Sequence, residues 1–216
     1  VTPGRRPVVT WGFLGLCVAV TVPSMVFPSL YGVFGGIGLD GSPATHPWQP
    51  FTAVFEHGWP GFPAAIHLAL NAFLILEAGR PCERLLGSGR FLVLCLASAG
   101  ANAVAQVWTE GVNGSSLVIW SWGPPLLLAL VRVRNRPDAA LEEALGAGAE
   151  RIRGILVILY VVVTAVMTAL PYAAGWRGDP VTAFLLGNRY HLVATGVGVL
   201  FAFLWRRRIT VHPVDS

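Results

Sequence analysis

The stretch GVNGSSLVIWSWGPPLLLALV, residues 111–131, has no charged side chain and carries adjacent serines, Ser115 and Ser116, near its start. A helix needs about 20 apolar residues to cross the hydrocarbon core of a bilayer, so this interval reads as a membrane span. Outward from it the pattern repeats. Pro7–Leu39, His57–Leu76, Phe91–Thr109 and Gly154–Trp176 are also free of charge, and Tyr190–Trp205 is a shorter run that extends upstream past Arg189. The expected fold is therefore all-α: one polytopic domain over residues 1–216 with six transmembrane helices near 9–33, 63–79, 91–109, 115–132, 154–174 and 188–206.

Composition agrees. Charged residues make up 12% of the chain and apolar ones 54%, whereas a soluble domain carries roughly 25% charged residues on its water-facing surface. Mean hydropathy is +0.63. The basic residues are all arginines. They sit between apolar runs rather than along one face, so no nucleic acid is expected as a partner. Arg5, Arg6, Arg80, Arg84, Arg90, Arg132, Arg134, Arg136, Arg151, Arg153 and Arg206–Arg208 fall on one side of the six spans, and only Arg177 and Arg189 on the other. By the positive-inside rule both termini are cytoplasmic and the protein is a multi-pass component of the cell membrane. The apolar run after Arg5-Arg6 outlasts a signal-peptide core, so it reads as a retained first span. The segment from about 34 to 62 is then an outer connection, and 132–153 a cytoplasmic linker with a short surface helix around Ala139–Glu150. Cys17, Cys82 and Cys95 have neither a disulfide pattern nor a metal-ligand spacing.

Polar side chains inside spans point to function, and here they share one depth. His67 and Asn71, four apart, lie on one face of the second helix. Ser115 and Ser116 follow Asn113-Gly114 at the outer end of the fourth, and Asn188 and His191 lie at the outer end of the sixth. The second, fourth and sixth helices all run from outside inward, so topology alone brings the three groups together. A serine and a histidine can form a nucleophile–base pair, and His67 with Asn71 can donate to a developing oxyanion. Glu77 falls near the cytoplasmic face, so any such mechanism is a dyad. Three other readings of these residues stay open: a serine bonded to its own helix backbone, a His–Asn pair as helix–helix glue, and a metal site from His57, His67 and His191. No internal repeat of the kind transporters show is present.

Four segments resemble the rhomboid family of intramembrane serine proteases, from about Trp48 to Phe203. Phe55-Glu56-His57 and the His67-to-Asn71 helix resemble the family's His-x-x-x-Asn helix and the histidine before it. Glu83 ahead of Gly87-Ser88-Gly89 resembles its cytoplasmic turn. Gly114-Ser115-Ser116-Leu117 is similar to the Gly-x-Ser-Gly nucleophile motif. Asn188-Arg189-Tyr190-His191, with Gly198 seven residues later, is similar to the helix that carries the base. The resemblance implies a six-helix rhomboid-like bundle that cuts transmembrane protein substrates within the lipid bilayer, near the outer surface, without cofactor or metal. Ser116 would be the nucleophile and His191 the general base. His67, Asn71 and the Ser116 amide would form the oxyanion hole, and Trp120 would pack on the base. Gly114 at the first motif position and the spacing to Trp120 select Ser116 over Ser115.

The departures define the alternative, a rhomboid-like pseudoprotease that binds transmembrane helices without cutting them. Leu117, Tyr190 and Ala194 stand where the family has smaller residues and are expected to push the fourth and sixth helices apart. Pro124-Pro125 is expected to kink the fourth helix. Gln49 replaces an arginine common in the outer loop, and the stretch between His57 and His67 is longer than usual.

Overall fold

The computed structural model describes residues 6–35, 46, 48–57, 64–107, 114–135, 139–145, 149–173, 175 and 177–206. Asn113, Arg5, Arg136, Arg207, Arg208 and most of the outer connection lie outside these residues. Every regular element described is helical: α1 (Val8–Val26), α2 (Tyr31–Phe34), α3 (Gln49–Thr52), α4 (Ala64–Leu74), α5 (Arg80–Leu86), α6 (Ser88–Val107), α7 (Ser116–Ile119), α8 (Gly123–Asn135), α9 (Ala139–Leu145), α10 (Ala149–Val157), α11 (Thr164–Ala173) and α12 (Pro180–Trp205). A π turn, Ile75–Gly79, joins α4 to α5, and another, Ile158–Val163, joins α10 to α11. A 3₁₀ turn, Trp120–Trp122, joins α7 to α8.

Four helical stretches among the described residues are long and apolar enough to cross a membrane: Val8–Val26, Ser88–Gln106, Ser116–Asn135 and Glu150–Ala169. Ala64–Leu74 and Pro180–Trp205 are not among them. Ala64–Leu74, with 11 residues, is too short by itself to cross, and Asn188, Arg189 and His191 lower the apolarity of Pro180–Trp205. The stretch Ser116–Asn135 is 61% buried, against 22–33% for the other three. It is the central helix, and the remaining stretches turn large apolar side chains such as Leu16, Leu96, Val161 and Val166 outward.

Several expected boundaries shift for local reasons. The first long helix stops at Val26 rather than near 33, because Pro28 begins a separate 3₁₀ turn. The last begins at Pro180, not 188. Asp179 caps it by accepting from Thr182 N–H at 2.9 Å, and Pro180 fits the first turn, where no N–H is needed. The short helix expected around Ala139–Glu150 ends at Leu145, its apolar side chains Leu141 and Leu145 buried. Pro124-Pro125 does interrupt the central helix, at the 3₁₀ turn just before it.

The core forms around Trp122, which is fully buried between Phe91 (ring centroids 5.2 Å) and Phe13 (6.0 Å). At the end of the bundle where α1 begins, the buried carboxylate of Glu83 closes it. It accepts from Val9 N–H (3.0 Å), Thr10 N–H (2.8 Å), Thr10 Oγ1 (2.7 Å) and Ser88 Oγ (2.7 Å). Two of the free amides that start α1 are thereby satisfied by a negative charge, which the helix dipole also favours there. Cys82 beside it is fully buried, its thiol toward the Trp122 carbonyl. Glu77 pairs with Arg80 (3.3 Å) and Arg151 (2.6 Å), far in sequence from any role beside a histidine.

The expected separation of the fourth and sixth spans does not occur. Leu117 and Ala194 are fully buried and Tyr190 nearly so, all within the core. A Cβ added to Gly198 would lie 2.3 Å from the Ser121 carbonyl oxygen, so the two backbones touch there. The small residue that allows this approach sits one turn beyond Ala194. Gly198→Val should therefore destabilise the protein by about 3 kcal/mol. Gly196→Ala, which meets nothing within 4 Å, should stay within about 0.5 kcal/mol of wild type. Thermal unfolding in detergent micelles checks both.

Candidate active site

Gly114 begins the site. Its φ of +111° is one that side-chain-bearing residues rarely adopt, and its N–H donates to the Ala53 carbonyl at 2.8 Å. A Cβ there would lie 2.9 Å from His67 Cε1, 3.3 Å from His67 Nε2 and 3.8 Å from Ser116 Oγ. His67 and Ser116 thus converge on the space that glycine leaves empty. Asn71 is buried and spends one amide hydrogen on the His67 carbonyl at 3.0 Å.

The two serines face different ways. Ser115 is fully buried, its Oγ 2.8 Å from His57 Nε2, and its N–H donates to the same nitrogen at 3.1 Å. A backbone N–H only donates, so Nε2 accepts and the proton of this histidine resides on Nδ1. Nδ1 lies 3.1 Å from both the Phe55 carbonyl and Thr21 Oγ1, and Thr21 Oγ1 donates to Phe55 O at 2.9 Å. The outer connection, α1 and the start of α7 are joined through one buried ring. Ser116, in contrast, is only half-buried.

His191 is buried, and its ring lies flat on Trp120, with centroids 4.5 Å apart and planes 9° apart. This is the packing that the family resemblance implied for Trp120. His191 Nδ1 is buried without a partner, and no hydrogen bond joins Ser116 to His191 among the described residues. Asn188 turns elsewhere: its amide donates to Thr168 Oγ1 (3.1 Å) and ties α12 to α11. His67 is in edge contact with His57 (5.2 Å) and within electrostatic reach of His191. The open metal reading gains no support, since no group of three metal-binding side chains occurs among the described residues.

Three features escaped the sequence reading. His57 is the partner of Ser115. Tyr160 donates its hydroxyl to the Trp120 carbonyl at 2.6 Å. Ser98, Asn102 and Gln106 form a buried polar ladder on α6; Ser98 and Asn102 both donate to the Leu117 carbonyl (3.1 and 2.6 Å), and the Gln106 amide has no partner. The i, i+4, i+8 spacing in an apolar run was a readable signal for the ladder. Nothing local marked the other two.

The model of the rhomboid domain matches residues 44–208. The chain belongs to the rhomboid family. No curated protein and no solved structure matches it. Family membership identifies this rhomboid as an intramembrane serine protease. The finding also fits a multi-pass membrane protein acting on transmembrane substrates in the bilayer.

The described part of the connection between α2 and α4 is also tied to α2. Gln49 is buried where an arginine is common, and donates to the Gly32 carbonyl at 2.6 Å; Trp48 Nε1 donates to Val33 O at 3.0 Å and Thr52 Oγ1 to Phe34 O at 2.8 Å. Within it, burial pushes His57 down to about 3 and pushes Glu56 up. Between about pH 6.5 and 3 the unfolded chain takes up a proton at residue 57 that the folded chain does not, so the His57 contribution is complete above that window and is lost as pH falls through it. Glu56 acts in the opposite sense, and comparing two proteins that both keep it cancels its effect. The melting temperature of wild type should exceed that of His57→Gln at pH 7, and the gap should narrow steadily toward pH 4.

Proposed function

We propose that this rhomboid cleaves transmembrane segments of other membrane proteins near the outer surface, with Ser116 as nucleophile and His191 as general base. The protein would be a single domain of six spans with both termini cytoplasmic; the arginine distribution supports that orientation. The stack of His191 on Trp120 carries the assignment. It ties the histidine of the sixth helix to the turn that follows Ser116, at the end of the bundle where Ser116 is half-exposed.

The chemistry follows from these positions. Ser116 Oγ attacks the scissile carbonyl carbon while its proton passes to His191. Negative charge builds on the carbonyl oxygen, toward which His67, the second amide hydrogen of Asn71 and the Ser116 N–H can donate. The C–N bond then breaks, with the proton returned from His191 to the leaving amine, and water hydrolyses the acyl-enzyme by the same steps. The Ser116–His191 hydrogen bond, absent at rest, would form when substrate closes the site, as resting enzymes often require.

One observation favours a second reading, with Ser115 and His57 as the dyad: the 2.8 Å hydrogen bond between them. Both residues are wholly buried, so a peptide carbonyl has no route to Ser115 without displacement of α1 or the outer connection. A brace is the role that burial supports. A fluorophosphonate probe separates the readings. Wild type and Ser115→Ala should be labelled, and Ser116→Ala should not. Ser116→Ala and His191→Ala should both abolish cleavage of a model transmembrane substrate, whereas Asn71→Ala should lower it by no more than roughly 10²–10³-fold. Labelling that survives Ser116→Ala and disappears in Ser115→Ala would reverse the assignment. Wild type that is never labelled would favour the pseudoprotease.

A further inference from the structure

We propose that Tyr160 is a positioning residue for the base: its hydroxyl replaces the backbone donor that Pro124 removes and, by holding Trp120, holds the surface on which His191 lies. This inference rests on the reading of Ser116 and His191 given above.

In an unbroken α-helix the N–H of residue 124 would bond to the carbonyl of residue 120. Proline has no N–H, and a backbone carbonyl buried in a membrane protein must find a donor inside the protein. The 3₁₀ turn Trp120–Trp122 offers this carbonyl only the poorer i+3 geometry, and Tyr160 supplies a side-chain donor at 2.6 Å. The phenol ring also meets the Trp120 indole edge-on, with centroids 4.7 Å apart. On its other contact the same indole lies flat against His191. Gly123 completes the seat, because a Cβ there would lie 2.2 Å from the Tyr160 hydroxyl oxygen. One residue creates the acceptor, its neighbour leaves the room, and a third, 36 positions on, fills it.

The need for such a hold comes from the dyad itself. In a Ser–His–Asp triad the carboxylate fixes the imidazole through Nδ1. Here Nδ1 of His191 has no partner among the described residues, so no hydrogen bond from that nitrogen to them sets the ring plane. The stack on Trp120 does so instead, and its precision depends on how firmly Trp120 is held. Tyr160 lies in the π turn Ile158–Val163, a local change of helix register of the kind that often marks functional sites.

The test uses full-length protein in detergent, with kcat and KM on a model transmembrane substrate, the rate of fluorophosphonate labelling and the folded fraction by thermal unfolding. Tyr160→Phe keeps the ring and removes the hydroxyl. It should lower kcat and the labelling rate of Ser116 by about tenfold or more, within the roughly 10²-fold that a displacement of about 1 Å can cost, while KM stays near wild type and the protein remains folded. Gly123→Ala should do the same by displacing the phenol. Tyr172→Phe, whose hydroxyl reaches the Gly178 carbonyl at 3.4 Å instead, should behave as wild type. In a Trp120→Ala background, Tyr160→Phe should cost little more, because residues acting through one another are not additive. Wild-type kcat in both Tyr160→Phe and Gly123→Ala, a loss that only tracks the unfolded fraction, or a full additive loss without Trp120 would each overturn the proposal while leaving Ser116 and His191 in place. Wild type labelled at a serine other than Ser116 would instead remove the underlying assignment, and this inference with it.

Discussion

Two backbone N–H groups are missing from the centre of this bundle, and much of the site is arranged around their absence. Pro124 and Pro125 lie in the most buried helix, where no water can satisfy the carbonyls they leave behind. The Trp120 carbonyl receives the Tyr160 hydroxyl. The Ser121 carbonyl, the other one deprived, faces Gly198 at backbone contact distance. The fourth, fifth and sixth helices thus meet at two defects in one turn. A regular helix there would have had no free acceptors to recruit its neighbours, and the indole under His191 would have been held by packing alone.

On the proposed assignment, the paired serines divide two tasks that a single residue would have had to share. Successive residues at a helix start point about 100° apart, following from 3.6 residues per turn, so one hydroxyl turned inward leaves the next turned away. Ser115 is locked to His57 through both its side chain and its amide, and Gly114 is locked to Ala53. With two preceding residues pinned, the amide and hydroxyl of Ser116 inherit a defined direction without being tied themselves. Preorganised donors of this sort need no reorientation as charge develops.

The helical membrane architecture was legible because it depends on composition and length, which a lipid environment constrains severely. The convergence of His67 with Ser116 was legible because helix direction carries over directly into space, and the packing of Trp120 on His191 was legible only through the family resemblance. What stayed hidden was contact between residues distant in sequence with no spacing rule to link them, as with Tyr160 and Pro124 or His57 and Ser115. Bulk was misjudged at Leu117, Tyr190 and Ala194, because side-chain size at one position says little when the closest crossing falls a turn away, at Gly198. The start of the sixth helix was misplaced because Arg189 was weighed as a boundary, while the Asp179-Pro180 pair that caps it was passed over.

The Glu83 cap has a consequence for how the protein is made. The helix Val8–Val26 lies outside the matched family region, yet its first amides bond to a carboxylate 73 and 74 residues later in the chain. At roughly 5–20 residues per second of synthesis, the nascent first helix waits about 4–15 s for that partner to emerge from the ribosome. Until then its leading amides depend on headgroups and water at the membrane surface. A helix made early is thus secured late, and its seat is set by a turn that only the helices following it can bring into place.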